Sequence, residues 1–214
     1  MQMCIGVYLH GFLSSGKSEK GQWLTQQIAD ENKVVQPPLF TEFITVTYPI
    51  KSVQDSVHEI EKIIAQYPKK QNKIILLGSS MGGYYAQYLG QKYQLPYIMI
   101  NPALNPVPVF VENQGEHINP STGEMVKIDK NYIADLQRYD VCTLKQTVPA
   151  LLLIDKDDEV IDVAFAIQRY QPLANRDKTD SCFETVIYSG GDHRFIHMED
   201  AWPKIKAFIQ KIPE

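Results

Sequence analysis

Cysteine is scarce in this chain. There are three in 214 residues, Cys4, Cys142 and Cys182, with no C-x-x-C pair and no spacing that suits a metal. That excludes a disulfide scaffold and fits a reducing compartment. Cys4 and Cys182 lie in apolar runs and read as buried, inert thiols. Positive charge is not in excess either: 21 Lys and Arg against 25 Asp and Glu leave a net charge of −4, which argues against a nucleic-acid or anionic-membrane partner. No apolar run approaches the roughly 18 residues a membrane-spanning helix needs. The opening "MQMCIGVYLHGF" lacks the basic leader and long apolar core of a signal peptide. The expectation is a soluble, cytoplasmic protein. With no repeat, linker or biased tract, one domain covering residues 1–214 is expected.

What the sequence does have is a regular alternation of short apolar runs and helix-period segments. Strands are expected at Cys4–Leu9, Glu42–Tyr48, Lys73–Ser80, Tyr97–Asn101, Pro149–Asp155 and Phe183–Ser189. Helices are expected from Ser18 to about Asn32, over Val53–Ile64, Met81–Tyr93, Asn131–Tyr139 and Val163–Tyr170, and from His197 to the end, with Pro203 as a kink. Strands that are apolar on both faces and separated by helices predict an α/β fold. It would be a mostly parallel sheet of about six strands with helices on both faces, in three layers. Sites in such folds gather at the carboxyl ends of the strands. The stretch 102–129, with Pro102, Pro106, Pro108 and Pro120, is less regular. It reads either as a lid or binding loop or as an ordinary surface excursion.

Two patterns overlap at the first strand end. Gly11 to Ser18 is a literal G-x-x-x-x-G-K-S, the phosphate-cradling P-loop string, with Lys17 as its lysine and Asp155 available to help hold Mg²⁺. His10-Gly11-Phe12 is also a build suited to an oxyanion loop. The P-loop reading leaves three other strand-end features without a role: Gly78-Ser79-Ser80-Met81-Gly82-Gly83, Asp158-Glu159-Val160, and Gly190-Gly191-Asp192-His193.

Those three features suit nucleophilic catalysis. Gly78, Ser80 and Gly82 form G-x-S-x-G between an apolar strand and a helix, where a sharp turn lifts the serine hydroxyl above the sheet. A serine needs a base, held in turn by an acid, and in this architecture the chain order is Ser, acid, His. His193, after two glycines, is the base. Asp158 is the acid and Asp157 its rival, with Asp155 and Asp162 nearby. The backbone N–H groups of Phe12 and Met81 are the expected oxyanion donors. Phe12, Leu13 and Tyr84 read either as lining of the acyl pocket, with Val109-Phe110 over it, or as plain core or lid packing. His58 and His117 read as surface residues, His10 as a brace for its turn, and His197 as a weaker candidate base than His193.

Together, "YLHGF", "GSSMGGYYA", "LPYIMINPA", "NPSTGE", "DEV" and "GGDHRF" resemble the YqiA/YcfP-type family of small bacterial esterases, over nearly the whole chain. The resemblance implies the α/β-hydrolase fold and a Ser-Asp-His esterase acting on an acyl ester or thioester. It implies no cofactor or metal, and its pattern falls on Ser80, Asp158 and His193. Where many hydrolases have a glycine at the start of the acid loop this chain has Asp155, which leaves Asp157 and Asp158 both open. Two other classes remain: a nucleotide-binding protein using Gly11–Ser18, and a non-catalytic binding module on the same fold. Within the enzyme class, acyl transfer to an acceptor other than water also stays open.

Overall fold

A computed structural model of the chain describes residues 3–174 and 182–213. The six expected strands form one sheet: β1 (Met3–Leu9), β2 (Glu42–Val46), β3 (Asn72–Ser80), β4 (Tyr97–Pro102), β7 (Ala150–Asp155) and β8 (Phe183–Tyr188). Their order is β2-β1-β3-β4-β7-β8, and every neighbouring pair is parallel. Successive residues of a strand point to opposite faces, and the sheet keeps this alternation throughout. Ile5, Val7 and Leu9 join one apolar cluster with Ile74, Leu76, Tyr97 and Met99. Tyr8, Ile75, Leu77, Ile98 and Ile100 join the other.

Helices cover both clusters. Val53, Val57 and Ile60 of α2 (Val53–Ala65), with Tyr84, Tyr85 and Leu89 of α3 (Met81–Tyr93), seal the first face. Leu24 and Ile28 of α1 (Glu19–Val34), with Trp202, Ile205 and Phe208 of α7 (Met198–Lys211), seal the second. Local chemistry sets where these helices start. The Ser18 hydroxyl accepts the Gly21 amide at 3.3 Å and the Ser52 hydroxyl accepts the Asp55 amide at 3.0 Å, each satisfying an otherwise orphaned donor. Pro203 lies inside α7 without ending it.

The stretch 102–129 is more regular than its sequence suggests. It holds α4 (Val107–Glu112) and an antiparallel hairpin of β5 (Gly115–Ile118) and β6 (Met125–Ile128). Val126 and Ile128 are buried while their neighbours are exposed, so β6 follows the two-residue period over only four positions. The hairpin turn is pinned to the body at two points. Asn119 donates to the Ser14 carbonyl at 2.8 Å, and the Glu124 carboxylate accepts the Ile50 and Lys51 amides at 3.1 and 3.2 Å. α5 (Lys130–Arg138), capped by Asp129, and α6 (Val163–Ala174) complete the fold. The strand expected to reach Tyr48 ends at Val46, because Thr47 and Tyr48 turn their side chains to the loop after β1. There Thr47 accepts the Gly16 amide and Tyr48 donates to the His10 carbonyl.

Candidate active site

Ser80 sits where β3 runs directly into α3, with φ 55° and ψ −121°. An L-residue rarely adopts a positive φ, so the turn is held by its surroundings. The flanking glycines are what permit it. A Cβ at Gly78 would fall on the Gly82 carbonyl, and one at Gly82 on the Leu9 carbonyl. The crossing of strand, helix and β1 loop therefore excludes any side chain at either place.

His193 comes from the loop after β8, which reverses through Gly190 and Gly191 at φ 78° and 84°. Its Nε2 lies 3.1 Å from Ser80 Oγ, and its Nδ1 lies 2.9 and 3.1 Å from the two carboxylate oxygens of Asp158. Because a carboxylate only accepts, Nδ1 carries the proton and Nε2 is left to accept from the serine hydroxyl. The Asp158 carboxylate also accepts the Val160 and Ile161 amides at 2.8 and 3.1 Å. Burial opposes its charge, but the hydrogen bonds from His193 and these two amides prevail and hold its pKa below the ordinary value. Its side chain is 0% exposed while that of His193 is 25% exposed, so the acid is shut away and the base faces the cavity. Asp157, the rival, is exposed, and its amide is spent on the Gly190 carbonyl.

A second histidine–carboxylate pair lies beside the first. Asp155, fully buried, accepts the Ile196 amide at 2.9 Å and pairs with His197 Nδ1 at 2.7 Å. His197 in turn stacks on Tyr188. Asn101, at φ 41°, accepts the Asp155 amide at 2.8 Å and donates to the Asp192 carbonyl at 2.9 Å. Glu159 accepts the His193 amide at 3.2 Å. Asn101, Asp155, Glu159 and His197 therefore tie the histidine loop to β4 and to the acid loop. The sequence reading weighed Asp155 only as an acid or Mg²⁺ candidate and His197 only as a weaker base, and gave Asn101 and Glu159 no role of their own. The available signal was "LLLID" itself: an acid ending a fully apolar strand, with no turn residue before it, is a buried charge that needs partners.

The other expected residues fall as follows. Phe12 and Met81 border a cavity of about 180 Å³ with Ser80 and His193, between apolar walls that include Pro106 and Ile161. Met81 opens α3, where the amide has no acceptor within the helix. Leu13 borders a neighbouring cavity of about 240 Å³. Val109 and Phe110 border both cavities. Tyr84 borders neither; one turn into α3 it points into the core and its hydroxyl donates to the Leu136 carbonyl, so the expectation that it lines the acyl pocket is corrected. His10 braces its turn, with Nδ1 2.7 Å from the Gly11 carbonyl and its ring stacked on Tyr48. His117 is half-buried rather than a surface residue, and it borders the second cavity. Cys4 and Cys182 are likewise half-buried, and Cys142 is exposed.

The P-loop string does not form a phosphate cradle. The Gly16 amide is spent on Thr47 Oγ1 at 2.9 Å, the Lys17 amide on Ser15 Oγ at 3.2 Å and the Ser18 amide on the Ser15 carbonyl at 3.0 Å. Lys17 is exposed and Ser18 serves as the cap of α1. An anion site needs such amides free and convergent. Among the described residues no group of three or more His, Cys, Asp or Glu is placed to hold a metal ion, and no helix is long and apolar enough to cross a membrane.

Comparison with known proteins follows the same lines. The model of a family described as "Uncharacterised protein family (UPF0227)" matches residues 5–210. The UPF0227 protein YcfP of Salmonella gallinarum (strain 287/91 / NCTC 13346) is 22% identical over 202 residues, covering 94% of this chain and 97% of that protein. A UPF0227 protein of Shewanella sp. (strain MR-7) is 26% identical over 206 residues, with the same coverage. Among solved structures, alpha/beta hydrolase domain-containing protein 10 from mouse superposes with a TM-score of 0.71 at 18% identity, over 98% of this chain and 90% of that one. Est1E from Butyrivibrio proteoclasticus, solved with ferulic acid bound, gives a TM-score of 0.70 at 14% identity, over 98% and 89%. The fold is that of the α/β-hydrolases.

Proposed function

The chain belongs to the UPF0227 family, and from that premise and the geometry of its site we propose that it is a serine hydrolase of carboxylic esters, acyl thioesters included. The observation that carries this is the position of His193, bonded on one side to Ser80 Oγ at 3.1 Å and on the other to the buried Asp158 at 2.9 Å. The likeness to solved structures named as esterases supports the same class.

In this reading Ser80 Oγ attacks the substrate carbonyl as His193 Nε2 takes its proton. The carbonyl oxygen becomes an oxyanion, for which the N–H groups of Phe12 and Met81 are the donors. Asp158, held ionised, stabilises the imidazolium without taking its proton. His193 returns the proton to the leaving oxygen or sulfur, and the acyl group stays on Ser80. Water, deprotonated by His193, then attacks the acyl-enzyme, releasing the acid and restoring the serine hydroxyl. The partner is a small-molecule substrate, and the chemistry uses no cofactor.

The test is hydrolysis of p-nitrophenyl acetate by the wild type, Ser80→Ala and Lys17→Ala. Ser80→Ala is expected to lose at least about 10⁴-fold in kcat, since a triad without its nucleophile keeps only binding and oxyanion effects. Lys17→Ala should retain activity. Turnover indifferent to Ser80 would sink the proposal.

A further inference from the structure

The cavity at Ser80 is small for a substrate. At about 180 Å³ it falls below the ~300 Å³ at which small-molecule sites usually begin. The neighbouring cavity, about 240 Å³, is also too small alone. The two share Phe12, Val109, Phe110 and Val160 as walls. Taken as one groove lying to either side of those four side chains, they pass the threshold.

The far part of that groove is apolar. Leu13 and Ile128 border it, and its two polar side chains, Asn113 and His117, each have one nitrogen bonded to backbone. His117 Nε2 bonds the Asn113 carbonyl at 2.8 Å, and Asn113 Nδ2 donates to the Val109 carbonyl at 2.8 Å. The other six walls, Phe12, Leu13, Val109, Phe110, Ile128 and Val160, are hydrocarbon, so burial there favours an apolar chain over a polar or charged group. The groove is also preformed, because the hairpin carrying Ile128 is fastened to the body through Asn119 and Glu124.

His193 sets the direction. It must protonate the leaving group, so the leaving group lies on the His193 side of the first cavity. The second cavity touches neither His193 nor Ser80. Resting on the serine-hydrolase reading, we infer that the second cavity is an acyl-chain subsite and that the substrate carries an apolar acyl chain too long for the first cavity alone. Val160, 40% exposed, is one of the four side chains that border both parts, and the most open to substitution.

The test compares p-nitrophenyl acetate, butyrate, hexanoate and octanoate at monomeric concentrations, with the wild type, Ser80→Ala, Val160→Trp and Asn113→Trp. Burying each methylene can raise kcat/KM by up to about fourfold, so the wild type is expected to gain at least about tenfold from butyrate to octanoate. Each tryptophan should cut the octanoate-to-butyrate ratio by at least about tenfold, since it fills space at the shared walls or in the far cavity. A wild-type profile that is flat or falls beyond butyrate overturns the inference, whether or not the variants fold. So does an unchanged ratio in the two variants. Either result, with acetate turnover still dependent on Ser80, leaves the hydrolase reading standing. Loss of that dependence would remove both.

Discussion

Ser80 is held in a conformation that a glycine would adopt at no cost. With φ 55° and ψ −121°, its backbone stores of the order of 1–3 kcal/mol that the rest of the fold must offset. Alanine keeps the offending Cβ and glycine removes it. Ser80→Gly is therefore expected to be more stable than Ser80→Ala by about 1 kcal/mol or more, a difference of roughly 2–4 °C in Tm for a chain of this size. Both should be inactive. Equal melting temperatures for the two variants, measured by calorimetry, would mean that the turn carries no such strain. The clash of any Cβ at Gly78 or Gly82 with a carbonyl was implicit in the G-x-S-x-G string, which is why the nucleophile was the most legible residue of the site.

The proposed acid and base come from loops, and there the sequence was less informative. The loops after β7 and β8 are zipped together by Lys156 N–H to Tyr188 O at 2.9 Å and Asp157 N–H to Gly190 O at 3.1 Å. That zipper spends Asp157 through its backbone and leaves Asp158 facing His193. The string "DKDDEV" could not decide this, because solvated and buried acids look alike when the partner loop is remote in sequence. Asp158→Asn should lower kcat on the order of 10⁴-fold by favouring the wrong imidazole tautomer, while Asp157→Asn should stay near wild type. Asp155→Asn disturbs the tie to Ile196 and His197, which orients the His193 loop, and is expected to lower kcat with little change in KM. Steady-state kinetics on the three variants checks the assignment, and full activity in Asp158→Asn would overturn it. The hairpin was illegible for another reason. Its strands are four residues each, too short for a period to register, and they are joined by a turn rich in Pro, Ser, Thr and Gly that reads as loop. Tyr84 was misplaced because α3 is buried along nearly its whole length, so no apolar stripe marked which face meets the cavity.

Across the whole molecule, the six strands were readable from apolar runs because both faces of the sheet are covered by the two clusters of the core, whereas their order in the sheet was not. The same burial makes the fold sensitive to acid. His10 is 0% exposed, and burial pushes its pKa down from 6.5 to about 4, against a smaller opposing effect from the Gly11 carbonyl. The unfolded chain therefore binds a proton at pH values where the folded chain does not. Stability rises with pH across that window and is lost as pH falls from about 6.5 towards about 4, by up to ~3 kcal/mol. His10→Phe, which retains a ring to stack on Tyr48, should flatten this slope. Urea melts at pH 7 and pH 4.5 on both proteins measure it, and equal losses in the two would place the acid sensitivity elsewhere.

The hairpin and α4 supply Val109, Phe110, Asn113, His117 and Ile128 to the groove walls, while Ser80, Asp158 and His193 come from the ends of β3, β7 and β8. No member of the hydrogen-bonded trio lies between residues 103 and 129. On the proposed reading the hydrogen-bonded trio and most of the far groove are written on different stretches of the gene, with Phe12, Leu13 and Val160 as the walls that the rest of the fold supplies. If the proposed function holds, a descendant that exchanged that one segment, keeping Asn119 and Glu124 as its fastenings, would keep the trio and change most of the far groove in a single step.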